Sequence, residues 1–300
     1  MGSLVGHVTT GFAFFLIGLW HLFNHIKIQA KHPNSYKSSP WFRSPSLKYL
    51  ELYLIILLSV LSIAMELFIG PEKHQPFDPD GSIPSNHLHN FEHSSISLSL
   101  IIYAVLAIIL DKSRLKTAMH DGLTYLLGAF AFGQQFVLFH LHSADHTAVE
   151  GQYHLLLQLV IFISFLTTLM GIGYPKSFLL GFVRSVSVLF QGVWFTFMGC
   201  MLWIPEFVAQ GCFMNSEDDH LVVRCSGEHA LHRAKALVNL QFSWLLSMIV
   251  VLSMTLYVIM CNIYGAKVEY LSISKSDGDD EEGRHPEVEL QKKNLLWPET

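Results

Sequence analysis

The stretch HLHSADHTAVEGQYH, residues 140–154, holds four histidines and two carboxylates between two long apolar runs. Neutral imidazole is the commonest protein ligand for transition metals, and three or four imidazoles with a carboxylate suit zinc. Zinc held by three histidines keeps an open position and lowers the pKa of its bound water toward 7, the chemistry of a metal-dependent hydrolase. The same side chains titrate near pH 6, so they also suit a carrier of protons or ions, or a pH sensor. Spacing sorts them. His142 and His146 stand four apart, as do His89 and His93 and the pair Glu150 and His154, so each pair shares a face wherever the helix continues. His140 and His142 point about 200° apart on a helix and converge only where it unwinds.

Other polar residues lie inside apolar runs. Glu66, in AMELF, is expensive at membrane depth unless it is paired or functional, and it fits a metal ligand or an acceptor that orients a histidine. Gln191 and Gly192, in QGVWF, suit an interhelical hydrogen bond and a close helix approach. Gln134 and Gln135, a turn or more before His140, suit the same role or the approach to the cluster. Trp194, Trp203 and Trp244 fit aromatic anchoring or lipid-facing positions. His21 and His25 share a face beside Trp20 and read as interfacial residues, while His74 and His220 sit in hydrophilic loops. Cys212 and Cys225 flank FMNSEDDHLVVR and are expected to form a disulfide on an oxidising side of the membrane. Cys200 and Cys261 read as buried apolar residues. The sequence contains no nucleotide-binding glycine loop, nucleophile elbow or kinase motif set.

The elements that must position these groups follow from composition. Hydrophobic residues make up 51% of the 300 and charged residues 14%, with mean hydropathy +0.38. A soluble domain carries about 25% charge. Several apolar runs exceed the roughly 18 residues that read as a bilayer-spanning helix. The expectation is an all-α, polytopic bundle of seven transmembrane helices, near residues 5–25, 47–70, 91–110, 118–141, 153–173, 177–203 and 234–264. The first lacks the basic flank of a cleavable signal and reads as a span.

Basic residues cluster after helices one, three and five (Lys27, Lys31, Lys37, Arg43, Lys48; Lys112, Arg114, Lys116; Lys176) and in the tail. The positive-inside rule then places the N-terminus outside or in the lumen and the C-terminus in the cytosol. Residues 1–265 form the membrane domain. Residues 266–300 are acidic and poor in apolar side chains, which predicts a disordered cytosolic tail. That tail carries most of the acidic excess behind the net charge of −5, and no basic face for nucleic acid exists. The expected surroundings are the lipid bilayer, with a lipid or small molecule as substrate. A homo-oligomer and protein partners of the tail are left open. No retention motif separates the plasma membrane from endomembranes of the ER, Golgi or endosomes.

This orientation gathers most of the histidines at the outer helix ends. It suggests a zinc site with His93, His140 and His154 as ligands and His142 or His7 as the fourth, and Glu66 or Glu150 as base or orienting carboxylate. A non-enzymatic proton carrier or sensor is the alternative, and a polar cluster that merely ties helices together, as in a membrane scaffold, is the third reading.

The chain resembles the transmembrane protein 45 family, built on domain of unknown function 716, and is most similar to its plant-type members. The resemblance rests on GHVTTGFAFFLIG near the start, ELF at 66–68, NFEHSS at 90–95, FHLH at 139–142, EGQYHLLL at 150–157 and LFQGVWF at 189–195. It implies that His7, Glu66, His93, His140, His142, Glu150 and His154 belong to a shared pattern, while Asp145 and His146 are local. The animal relatives carry a Trp-His pair in the last helix that LQFSWLL lacks. The resemblance implies a seven-helix fold and no particular chemistry.

Overall fold

Inside a bilayer every backbone N–H and C=O must find its partner within the segment, so each long apolar run folds as a helix. The computed structural model describes residues 4–69, 75–113, 119–145, 148–217 and 220–282. Its helices are α1 Leu4–Lys31, α2 Leu50–Ala64, α3 Leu88–Lys112, α4 Met119–Asp145, α5 Val149–Gly173, α6 Phe178–Trp203 and α7 Glu228–Glu282. Helix α2 continues as a π-helical turn, Met65–Ile69. Among the described residues, seven helices are long and apolar enough to cross a membrane. The protein is an all-α, multi-pass membrane protein.

Helices α2 to α6 pack each on the next, and α1 closes a ring of six by packing most extensively on α6 and only sparingly on α2. Helix α7 lies against α1, α5 and α6. The α1–α6 seam is close because glycines face it. A Cβ on Gly18 would lie 2.3 Å from the Leu189 nitrogen, and one on Gly192 would lie 2.2 Å from the Phe15 nitrogen. Lipid tails are as apolar as leucine, so such dense contact, rather than hydrophobicity, holds spanning helices together. Buried hydrogen bonds add to it. Gln191 Nε2 donates to Ser164 Oγ (2.6 Å), which donates to Ser187 Oγ (2.8 Å).

Three features depart from the sequence reading. Trp194 faces the protein interior rather than lipid: it is fully buried and donates its indole N–H to the Tyr153 carbonyl (3.0 Å). Trp244, at 67% exposure, does lie on the outer surface. An antiparallel hairpin, β1 Cys212–Glu217 and β2 His220–Cys225, precedes α7, with Cys212 opposite Cys225 and the two joined by a disulfide. Helix α7 is longer than its span. Its apolar part ends at Gly265, where the sequence reading ends the membrane domain, but the helical backbone runs to Glu282, through the first part of the expected tail.

Candidate functional site

At the end of the ring where α1 begins, three helices bring polar groups to one place. His7 lies near the start of α1, Glu66 in the π turn that ends α2, and His93 in the second turn of α3. They line a cavity of about 80 Å³ with Thr10, Ser62, Ser97 and Gln135. The π turn is what presents Glu66. A π turn breaks the regular i→i−4 bonding pattern, and Asn90 Nδ2 meets the Glu66 carbonyl from α3 (3.0 Å). The Glu66 side chain then reaches His93, with Oε1 3.5 Å from Nδ1. The His89 ring stands beside that of His93, centroids 6.4 Å apart.

His7 is buried, with its ring centroid 4.5 Å from Trp203 and 6.3 Å from His154. His154, only 2% exposed, donates Nδ1–H to the Glu150 carbonyl at 3.0 Å. That bond fixes Nε2 as the lone-pair nitrogen of the neutral ring. Phe139 stacks with the rings of both His93 (6.4 Å) and His154 (5.8 Å). His140 meets α5 one turn further on. Its side chain is exposed, and Nδ1 lies 3.5 Å from Gln158 Oε1. Helix α4 runs unbroken to Asp145, so the unwinding that would bring His140 and His142 together does not occur. The His142 side chain and His146 lie outside the described residues. Thus His7, Glu66 and His93 share one cavity, His154 adjoins His7, and His140 lies beside Gln158, one turn after His154 on α5. Among the described residues, no three His, Cys, Asp or Glu side chains converge where one metal ion could be held.

The opposite end of the ring carries a second polar cluster. His21 and His25 are buried hydrogen-bonding residues rather than interfacial ones, because the α1–α2 connection folds inward over them. Tyr36, Ser38, Trp41 and Phe42 of that connection are all buried. Glu51, at the start of α2, accepts from His21 Nε2 (2.7 Å), Trp20 Nε1 (3.1 Å) and the Phe42 backbone N–H (2.9 Å). Arg184 of α6 donates through Nη2 to His25 Nε2 (3.0 Å) and to the Ser39 carbonyl (2.8 Å), and lies over the Tyr125 ring. Arginine can only donate, so His25 is neutral with its proton on Nδ1, which donates to the Tyr36 oxygen (2.6 Å). Burial pushes the Tyr36 phenol up to about 12, so it keeps its own proton.

His21, Glu51, Tyr103, Tyr125 and Arg184 line a larger cavity of about 130 Å³. Phe14 and Leu100 line both cavities, which therefore lie end to end within the ring. Reading the histidines by position missed Glu51 and Arg184. The signal was present: each is a charged residue in an apolar helical segment, which marks a functional position by default.

Residues 121–258 match the family model described as Family of unknown function (DUF716). The match begins at Asp121 in α4 and ends at Val258 in α7. It takes in His140, Glu150, His154 and Arg184. The other walls of both cavities, on α1, α2 and α3, lie before it.

Proposed function

We propose that this membrane protein is a proton carrier whose path runs through the ring of six helices. The path leads from His7, Glu66 and His93 at one end to His21 and Glu51 at the other. The observation that carries this reading is the pair of cavities placed end to end, each with a His–Glu contact in its wall, meeting at Phe14 and Leu100. Ionisable side chains facing a bundle interior mark ion pathways and proton relays. The apolar residues between the cavities make the path gated rather than open. The positive-inside pattern puts the His7 end outside or in the lumen, where acidification would load it. The family reading that accompanies this is a plant-type member of the transmembrane protein 45 family, supported by motif stretches on α1, α2 and α3 as well as on the matched part.

Proteoliposomes holding a pH-sensitive dye, with the membrane potential clamped, test the proposal. The wild-type chain should dissipate an imposed pH gradient faster than empty vesicles, and Glu66→Gln or His93→Gln should return the rate to theirs. A wild-type rate equal to that of empty vesicles would overturn it.

A second reading, zinc in a membrane hydrolase, is supported by one observation. His154 donates Nδ1–H to a backbone carbonyl, the arrangement typical of a metal-binding imidazole. The ligands would be His7, His93 and His154, with His140 or His142 completing the set. Elemental analysis decides it: one zinc per chain, lost in His93→Ala, favours this reading over the carrier.

A further inference from the structure

We propose that Arg184 anchors a small amphipathic carboxylate in the larger cavity. Arg184 is 5% exposed and lines that cavity, yet no carboxylate lies within 4.0 Å of it among the described residues. Its partners are a neutral imidazole, a carbonyl and an aromatic ring, so none offsets its charge. Both hydrogen bonds use Nη2, and Nε and Nη1 have no hydrogen-bond partner among the described residues. Glu51, the acid in the same wall, is already engaged by three donors. A buried guanidinium with part of its donor fork unused and no carboxylate within 4.0 Å among the described residues is a receptor for a planar anion, and carboxylate matches the fork bidentately.

The rest of the wall sets the body of the ligand. Ile17, Ile55, Leu58, Phe132 and Val188 make it apolar. At about 130 Å³ the cavity is close to the ~150 Å³ that admits benzene in an engineered core, so the body is about the size of a phenyl ring. Entry is from the side. Leu58 lines the cavity yet is 39% exposed, and it stands on α2, which barely touches α1. An amphiphile partitioned into the bilayer can pass there without crossing the buried α1–α2 connection.

Calorimetric titration of the full chain in nanodiscs with phenylacetate, and with phenylacetamide as its neutral isostere, tests the site. Saturable 1:1 binding of phenylacetate is expected, with the amide more than about tenfold weaker. Arg184→Gln should abolish binding. Ala13→Phe, which fills the apolar end and leaves the Arg184 contacts alone, should abolish it too. Equal affinity for acid and amide, undiminished binding by Arg184→Gln, or no saturable binding by the folded wild type would each overturn the proposal. Should Arg184→Gln fail to fold, the amide and Ala13→Phe decide. Binding is read at equilibrium, so its failure leaves proton flux untouched, and a chain without flux can still bind the acid.

Discussion

Glu51, 4% exposed, accepts hydrogen bonds from His21, Trp20 and the Phe42 backbone. Removing one partner of such a buried arrangement strands the others, at a cost of about 3–5 kcal/mol. Glu51→Leu is therefore expected to lose about that much stability, and Glu51→Gln, which keeps one carbonyl acceptor, less. Thermal unfolding in detergent, followed by size-exclusion fluorescence, checks the order. An exposed pair behaves differently. Glu217 on β1 bonds through both oxygens to Arg224 on β2, and Asn215 adds a donor to the same carboxylate. These contacts hold the Glu217 carboxyl down to about 2. Its folded pKa is depressed, so the ion pair's contribution is full above the ordinary carboxylate value near 4.5 and fades as pH falls toward 2. Arg224→Gln should return Glu217 toward the ordinary range, read by carboxyl carbon NMR, while the melting temperature at pH 7 scarcely moves because the pair is solvated.

At the scale of elements, the α1–α6 seam predicts which glycines are irreplaceable. Gly192→Leu would drive a side chain into the Phe15 backbone and should force the two helices apart, lowering the melting temperature sharply. Gly128→Ala is the control. Its Cβ would first meet the Thr168 methyl at 3.4 Å, so that variant should unfold close to wild type. The hairpin depends on its cross-link instead. The disulfide closes a loop of sequence separation 13, a length for which chain entropy gives about 3 kcal/mol. Cys212→Ser with Cys225→Ser should thus open the paired strands β1 and β2 to protease before any helix is cut. These elements also show what the sequence could and could not convey. Spans follow from hydropathy, which is a local property, so all seven are legible as apolar runs. Which face each helix turns inward is set by packing against neighbours, and it decided the rest. His7, Glu66 and His93 meet because three helices are rotated so, and because a π turn ends α2. The hairpin was hidden because the polar stretch between Cys212 and Cys225 reads as an ordinary loop until LVVR is seen pairing with FMNS.

For the whole molecule, the decisive feature is what separates the two cavities. Phe14 lines both, and it stacks with Phe195, ring centroids 6.0 Å apart, so its ring is held in place from α6. In a proton carrier this ring and Leu100 would be the barrier that protons cross only when the bundle changes shape. An apolar constriction of this kind stops protons because it denies water a continuous hydrogen-bonded chain. Phe14→Ala should remove half of the barrier and let water join the cavities. Flux in proteoliposomes should then rise above wild type and lose its saturation with the pH gradient, as expected of an open path. Phe14→Trp, which keeps an aromatic ring and enlarges it, should lower flux without altering the His–Glu contacts at either end. The two variants thus move flux in opposite directions from one position. A folded Phe14→Ala protein with unchanged flux would mean that protons do not pass between these cavities, and the pathway would have to be sought outside the ring.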